Sequence, residues 1–288
     1  RNHLLPAFGD TVLSRLSVSA IQAFKANKTT SGLSPQTVKH LLRLLRQMLD
    51  HAIDWGYLRE NPAKKVKHPK VIKSEMDALS PDEVRRFLEA VPEGWYAFFL
   101  TTIVTGLRIG EMLAMRWGNL DEVSGTYLVK ETWLRSREGS RATFSATKTN
   151  SSATRIDLTP ACISALREHR RRQTERRLEI GDDYTDQDLV FATDTGGPLD
   201  DSHIKQRIFQ PALRGAGLRE VRFHDLRHTC ASLLIVQGES PKYIQKQLRH
   251  ASISMTFDNY GHLFPDANKE AARRMDDTIF GPANKLLT

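Results

Sequence analysis

The stretch VRFHDLRHTCASLLIVQGESPKYIQKQLRHASISMTFDNYG, residues 221–261, carries the side chains on which the fold and function predictions depend. His224 and Arg227 stand three residues apart, and His250 and Tyr260 follow downstream. Side chains three apart on a helix point in nearly the same direction, so His224 and Arg227 are expected to share a face. A buried polar pair would explain these two residues equally well. The phenol of Tyr260 further along adds a possible nucleophile.

A tyrosine acts as a nucleophile only where the charge that develops on its target is stabilised. Its ordinary pKa is about 10, so the hydroxyl must lose a proton during attack. Positive donors around a phosphate favour that loss and offset the growing charge. TGLRIGE (105–111) adds Arg108, with Glu111 on the same helix face. Glu111 would hold the guanidinium in place, unless the two form an ordinary surface ion pair. The set favours attack of Tyr260 on a phosphodiester.

Composition narrows the class of protein. The chain has 288 residues, of which 40% are hydrophobic and 26% charged, as in globular proteins with room for two domains. No apolar run approaches the ~20 residues that span a bilayer, so no membrane contact is expected. The net charge is +8, and residues 1–75 hold 13 Lys and Arg against 5 Asp and Glu, so the whole excess lies there. This clustering favours nucleic acid over a merely solvated basic face.

Residues 1–63 are predicted to form a helical DNA-binding domain. Ser34 is a good N-cap, and apolar residues then recur at helical spacing for about twenty residues. A shorter helix is expected from Ser19 to Ala26. Three basic residues share another face of the long helix: Lys39, Arg43 and Arg46. They would either follow a phosphate backbone or form the solvated side of an amphipathic helix.

Residues 64–76 are predicted to be a basic linker between two domains. Proline and repeated lysines cannot bury a core, so this segment either lies along DNA or is a plain spacer. The residues assigned to DNA contact are Lys64, Lys65 and Lys67.

Residues 77–288 are predicted to form the catalytic domain, with a C-terminal tail from about 267. Lys148 lies in the turn that joins the last two of three predicted strands. The strands are expected at 126–135, 140–147 and 153–158, in one small antiparallel sheet. Helices are expected at 80–90, 95–104, 159–180, 202–213, 224–236, 240–249 and 255–260. The fold class is mainly α with a small antiparallel β-sheet.

The motif HDLRH (224–228) also permits a metal site. It resembles the zinc-protease pattern H-E-x-x-H with Asp in place of Glu. Arg227 would put a cation beside the metal, and Leu234 occupies the position of the third histidine in the longer pattern. Both features argue against a metal hydrolase. That alternative would be recognised by zinc in the purified protein.

Five stretches taken together resemble the lambda-integrase family of tyrosine recombinases. They are SPQTVKHLLRLLRQMLDHAIDWGYLRENPA (34–63), TGLRIGEMLAMRW (105–117), TKTNSSATRIDL (147–158), HDLRHTCASLL (224–234) and LRHASISMTFDNYGH (248–262). The resemblance implies a SAM-like core-binding bundle followed by an α+β catalytic domain. It implies six catalytic residues: Arg108, Lys148, His224, Arg227, His250 and Tyr260. Two further residues match supporting positions: Glu111 and His262.

By this resemblance the chain is a site-specific recombinase of a phage or mobile element. Arg108 and Arg227 would clamp the scissile phosphate, and Tyr260 would form a 3′-phosphotyrosyl link on the way to a Holliday junction. His224 would accept the tyrosine proton, and Lys148 would protonate the leaving 5′ oxygen. The positive side chains would do the work of a metal, so neither a metal nor another cofactor is implied.

The resemblance also implies partners. These are double-stranded DNA at specific core sites, three further copies of the chain in a homotetramer on two sites, and DNA-bending or excision proteins. The expected location is the cytoplasm, associated with the nucleoid, and the two cysteines fit a reducing compartment. An arm-binding domain would precede Arg1. A type IB topoisomerase and a DNA-binding relative without catalysis are the alternatives.

The chain departs from the family at one position. Where the family usually has glycine, this chain has Arg249, directly before His250. Glycine there often ends a helix in a left-handed conformation. Arg249 must therefore either adopt that conformation at a cost or let the helix end differently.

Overall fold

The chain forms two compact units, Arg1–Glu75 and Met76–Thr288. A computed structural model describes residues 1–71, 77–134, 143–146, 154–264, 274–275 and 277–281. Among these residues, no helix is both long enough and apolar enough to cross a membrane. The division into a bundle, a linker and a catalytic domain at residues 63 and 76 stays a prediction.

The first unit contains only helices and turns in the part that the structure describes. Its elements are α1 (Leu5–Phe8), a 3-10 turn (Leu13–Arg15), α2 (Val18–Thr30), α3 (Pro35–Asp54) and a second 3-10 turn (Pro62–Lys65). Ser34 begins α3, because its hydroxyl accepts a hydrogen bond from the Thr37 N–H at 3.2 Å. α3 has 20 residues, so the helix predicted from the apolar spacing is confirmed.

The core of the first unit joins α2 and α3 to the chain segments around them. On α3 the buried residues lie three or four positions apart, which places them on one face. Ala63 and Val66 belong to this core, so residues 64–66, at the start of the predicted linker, pack with the first unit. The buried residues are Leu4, Leu16, Ile21, Phe24, Val38, Leu42, Leu45, Leu49, Ala63 and Val66.

The second unit is mainly helical. Its helices are α4 (Pro81–Ala90), α5 (Tyr96–Thr105), α6 (Ile109–Leu113), α7 (Pro160–Ile180), α8 (Asp201–His203), α9 (Gln210–Gly215), α10 (Asp225–Val236), α11 (Pro241–Leu248) and α12 (Ile253–Tyr260). Ser80 and Glu83 form the capping box predicted for α4. Between α8 and α9 the chain is π-helical over Ile204–Phe209. Pro211 has no N–H for the carbonyl four residues earlier, which fits a widened turn there.

The strands form two antiparallel sheets, with strand orders β1-β2-β5 and β3-β4. They are β1 (Leu120–Asp121), β2 (Thr126–Val129), β3 (Glu131–Leu134), β4 (Thr143–Ala146) and β5 (Thr154–Asp157). The prediction of a single sheet is wrong in this respect. The strand predicted over 126–135 breaks at the exposed Lys130, and its two halves pair with different partners.

The break occurs because β2 and β3 pack against different elements. Tyr127 and Val129 of β2 are buried in the core. β3 instead packs on α6. There, a Cβ on Gly110 would lie 2.6 Å from Thr132 Oγ1 and 2.7 Å from the Trp133 carbonyl oxygen. This strand therefore supports the helix that directly follows Arg108.

Aromatic rings fill the centre of the second unit. The rings of Phe99 and Phe209 lie 5.2 Å and 5.6 Å from that of Phe87, each edge to face. α5 is almost completely buried in this core and packs on α10. α10 also packs on α11, and α11 packs on α12 and β5. Four helices that carry predicted site residues or precede them in the chain thus form one packed group.

Candidate active site

Tyr260 is the last residue of α12, and it is 1% exposed. Its hydroxyl lies 2.7 Å from Nδ1 of His228 on α10, within hydrogen-bond distance. Its ring stacks on that of His250, with ring centres 6.2 Å apart and planes 11° apart. Burial raises the pKa of Tyr260 to about 12, although Arg227 and Arg108 act to lower it.

His228 is the residue that sequence reasoning missed. In the sequence it stands out only as the second histidine of the metal motif HDLRH. It lies one helical turn after His224, and their rings meet edge to face at 5.2 Å. Burial, followed by the charge of His224, lowers the pKa of His228 to about 4, so its imidazole is neutral at pH 7. The spacing of four residues from His224 was the available signal, but contact with Tyr260 depends on how α12 packs.

His224, the N-cap of α10, lies at the exposed edge of this group. Partial desolvation, with the nearby charges of Arg227 and Arg108, lowers the pKa of its imidazole. Its ring contact is with His228, and His228 reaches the tyrosine.

Arg227 is buried and joins two segments distant in sequence. Its Nη1 donates to the carbonyl oxygen of Gly106 at 2.7 Å, and its Nη2 donates to that of Leu248. Burial, then the charge of Arg108, lowers the pKa of Arg227 to about 10. The contact requires glycine at 106, where φ is +63° and a Cβ would lie 2.6 Å from Leu248 Cδ2. Arg227 thereby holds the chain before Arg108 beside the end of α11.

Arg108 and Glu111 form the pair expected from their spacing. The Glu111 carboxylate accepts the backbone N–H of Arg108 at 2.8 Å and its Nη1 at 3.1 Å. The side chain of Glu111 is 7% exposed and that of Arg108 46% exposed. The pair is thus anchored on a buried carboxylate while the guanidinium reaches solvent, which an ordinary surface ion pair does not do.

The helix α11 ends with Arg249 in the left-handed conformation, at φ 55° and ψ 48°. The next N–H, from His250, donates to the Gln245 carbonyl oxygen at 3.0 Å, so the helix closes as it would with glycine. His250 Nδ1 lies 2.9 Å from Thr256 Oγ1. Burial, then the charge of Arg227, lowers the pKa of His250 to about 4. The departure at 249 therefore leaves His250 beside Tyr260.

One predicted supporting residue, His262, is not part of this group. Lys148 lies outside the described residues. His262 is exposed in the 3-10 turn Gly261–Leu263 that follows α12.

The predicted DNA-binding residues of the first unit divide into two kinds. Lys64 pairs with Asp50 at 2.7 Å and Lys65 with Glu60 at 2.9 Å, so each of these exposed lysines has a carboxylate partner. Burial and the surrounding cations lower the pKa of the His68 imidazole. Those cations are Arg46, Lys39, Arg43 and Lys25. The three cations of the predicted stripe on α3 therefore lie close to His68 and to one another. Lys67 is exposed near it in sequence.

Side chains of the HDLRH motif (224–228) contact other side chains of the protein. Within the described ranges, no group of three or more His, Cys, Asp or Glu side chains is placed to hold a metal ion. Asp225 accepts hydrogen bonds from Arg222, including one from Nη2 at 2.7 Å. His228 faces Tyr260. These contacts lend no support to the metal-hydrolase reading.

Comparisons with known proteins agree with the family resemblance. Residues 77–266 match the sequence model of the phage integrase family. The ICEBs1 integrase of Bacillus subtilis (strain 168) is 28% identical over 283 residues, which cover 96% of this chain and 75% of that protein. A protein named tyrosine recombinase XerC-like, from Caldanaerobacter subterraneus subsp. tengcongensis, is 30% identical over 274 residues, covering 89% of this chain and 70% of that protein.

A solved structure shows the same fold. The Tn1549 transposon integrase, in complex with transposon right end DNA, superposes with a TM-score of 0.78 at 18% identity. The superposition covers 96% of this chain and 91% of that chain. The family match spans well over half of the sequence. The chain therefore belongs to the phage integrase family of tyrosine recombinases, the site-specific enzymes that break and rejoin DNA strands.

Proposed function

We propose that this chain cleaves and rejoins DNA through Tyr260 in the integration and excision of a phage or another mobile element. The hydrogen bond between the Tyr260 hydroxyl and His228 carries the proposal, because it places a base within reach of a nucleophile. Arg227 and His250 of the same chain lie beside that pair.

The scissile phosphate would bind against Arg108, whose guanidinium is about half exposed. Arg227 uses one N–H each of Nη1 and Nη2 for backbone carbonyls, out of the five that a guanidinium carries. Its remaining donors and those of His250 would strengthen their bonds as charge grows on the phosphate oxygens. Donors held in place before the reaction stabilise a transition state without reorganisation.

In the covalent step, one bond to phosphorus forms as another breaks. The Tyr260 oxygen bonds to phosphorus while the bond between phosphorus and the 5′ oxygen breaks. The phenolic proton passes to neutral His228, which takes this role in place of His224 because it contacts the hydroxyl. Lys148 would protonate the leaving 5′ oxygen, on the strength of the family resemblance. Attack by the 5′-hydroxyl of a second strand reverses the step and leads to a Holliday junction.

The proposed partner is double-stranded DNA with specific core sites. The cations Lys39, Arg43 and Arg46 on α3 support a phosphate contact by the first unit, since they lie near one another and, after burial, all act to lower the pKa of His68. Lys64 and Lys65 would contribute less, because each has a carboxylate partner. A homotetramer on two sites, DNA-bending or excision proteins, and a nucleoid-associated place in the cytoplasm follow from the family resemblance.

A covalent-trapping experiment tests the proposal. The protein is incubated with a randomised library of nicked duplexes and denatured, and the DNA that stays attached is sequenced. We expect an adduct that Tyr260→Phe abolishes. Tyr243→Phe is the matched control, because Tyr243 lies on α11 and its hydroxyl hydrogen-bonds to Asp157. Sequencing the adduct would supply the core site.

The other outcomes separate the rival functions. Intact DNA binding with no adduct would favour the DNA-binding relative without catalysis. An adduct that relaxes supercoiled plasmid but never exchanges strands between paired copies of the site would favour a type IB topoisomerase. Adduct formation that a chelator abolishes would favour a metal enzyme.

A further inference from the structure

We infer that Arg249 is a positioning residue for strand cleavage: by sharing Glu111 with Arg108, it keeps the charge of Arg108 available to the scissile phosphate. The inference rests on the proposed function. It concerns a position where the family usually has glycine.

The backbone at Arg249 is costly to form. Its φ of 55° lies in the left-handed region, where a Cβ crowds the following carbonyl oxygen, so a residue other than glycine adopts it at a cost in free energy. Asp188 is the other residue besides glycine with positive φ in the described part of the chain. Strain of this kind concentrates at functional sites, so it motivates a search for a role.

The side chain of Arg249 is also buried at a cost in free energy. It is 8% exposed, and its Nε and Nη1 are buried without a hydrogen-bond partner among the described residues. Buried donors are nearly always paired in proteins, because an unpaired one loses its water without compensation. Arg249 also lies close enough to Arg227 that its charge helps to lower the pKa of Arg227. Packing alone would be served better by an apolar side chain.

What Arg249 gains is an ion pair with Glu111. Its Nη2 contacts Oε1 of Glu111, the same oxygen that accepts Nη1 of Arg108 at 3.1 Å. Burial would raise the pKa of the Glu111 carboxyl, but Arg249 is the strongest of the influences that together lower it, ahead of the backbone N–H of Arg108. Two guanidinium groups thus share one carboxylate.

The shared carboxylate has a consequence for Arg108. Without Arg249, the whole charge of Glu111 would fall on Arg108 and draw its guanidinium toward the protein. With Arg249 in place, the three groups carry a net positive charge, and the exposed member is Arg108. A phosphate would therefore meet a guanidinium that is oriented by Glu111 but not neutralised by it.

The test compares two variants that share the same strained backbone and similar volume. Arg249→Met removes the charge, and Arg249→Lys keeps it. Single-turnover formation of the covalent adduct is measured on the trapped core site. We expect Arg249→Met to be slower by about ten-fold, Arg249→Lys to recover part of the rate, and the Kd for the site to change by less than about two-fold.

A double-mutant cycle decides whether Arg249 acts through Glu111. In a Glu111→Gln background there is no carboxylate charge to share. There, Arg249→Met should slow adduct formation by less than about two-fold. The same ten-fold loss in both backgrounds would overturn the inference, because Arg249 would then act independently of Glu111. An unchanged rate in Arg249→Met with Glu111 present would also overturn it.

A second measurement does not depend on activity. Carbon-detected NMR titration of the DNA-free protein follows the Glu111 carboxyl, whose pKa should rise in Arg249→Met and stay low in Arg249→Lys. If the unmodified protein forms no adduct, the proposed function fails, and this titration still decides whether Arg249 holds Glu111. An unmoved Glu111 pKa would refute the inference even in an active enzyme.

Discussion

Two groups of arginines in the second unit differ in how their charge is balanced. On α7 the arginines are exposed and have carboxylate partners, as Arg171 has Glu168 at 2.7 Å and Glu175 at 2.5 Å. In the active site, Arg108 and Arg249 share a single buried carboxylate. The α7 surface is balanced as it stands, whereas the active site has donors left over for an anion.

The comparison shows why counting arginines does not locate a phosphate site. The sequence places five arginines at 170, 171, 172, 176 and 177, more than anywhere near Tyr260. Those at 171, 172 and 176 pair with neighbouring glutamates of α7, so the face is solvated and laced with ion pairs. An anion site requires positive donors that outnumber the carboxylates, held at partly buried positions.

The largest effect on cleavage should come from replacing Arg227, the buried arginine that reaches two backbone carbonyls. Arg227→Lys removes the planar fork that reaches Gly106 and Leu248 together, and lysine cannot reproduce it. We expect covalent adduct formation to slow by roughly 10²–10³-fold, the usual cost of losing a fixed transition-state donor. The measurement is single-turnover cleavage of the trapped site.

Arg171→Lys is the control from the α7 surface and should cleave at the original rate. Equal losses in the two variants would contradict the distinction between the balanced and unbalanced groups. If the Arg227→Lys protein folds and cleaves at the normal rate, Arg227 does not contribute to cleavage.

The close packing that lets Arg227 reach both carbonyls can be tested with two glycines of the same conformation. Gly106 and Gly217 both have φ of +63°, but a Cβ at 106 would meet Leu248 at 2.6 Å and one at 217 would meet nothing within 4 Å. Gly217→Ala should cost about 1–2 kcal/mol of unfolding free energy from backbone strain alone. Gly106→Ala should cost roughly 1–3 kcal/mol more from overpacking. Urea unfolding measures both, and equal losses would mean that the ends of α5 and α11 separate easily.

Much of the fold was predictable because its signals are local. Ser34 and the apolar spacing after it define α3, and three residues separate Arg108 from its anchor Glu111. The break between β2 and β3 was not predictable, because it depends on α6 lying beneath β3. Spacing within one helix could not show which histidine meets Tyr260, since another helix carries the tyrosine.

The same limit applies to Arg249, which the sequence shows only as a departure from the family. The sequence shows that an arginine replaces glycine, and it predicts strain. The pairing with Glu111 joins segments far apart in the chain, so only the packed structure could reveal it.

The burial of two histidines in the site also predicts a dependence of stability on pH. Burial and nearby cations lower the pKa values of His228 and His250 to about 4, from an unfolded value near 6.5. The unfolded chain therefore binds protons first as the pH falls, so the stability these histidines provide is complete above pH 6.5 and declines toward pH 4. The Tm should fall between pH 7 and pH 5, and His228→Gln should reduce that fall. An identical fall in the variant would mean that other groups cause it.

The smallest effect is expected on the α7 surface, where charge is already balanced. Arg171→Ala removes two exposed ion pairs, and such pairs contribute little because water and salt screen them. We expect the Tm at physiological salt to change by less than about 2 °C and adduct formation to stay unchanged. At low ionic strength the difference in Tm should grow slightly, because screening is weaker. A large loss of cleavage in Arg171→Ala with normal folding would place part of the phosphate-binding charge on α7, and the contrast between the two groups of arginines would no longer hold.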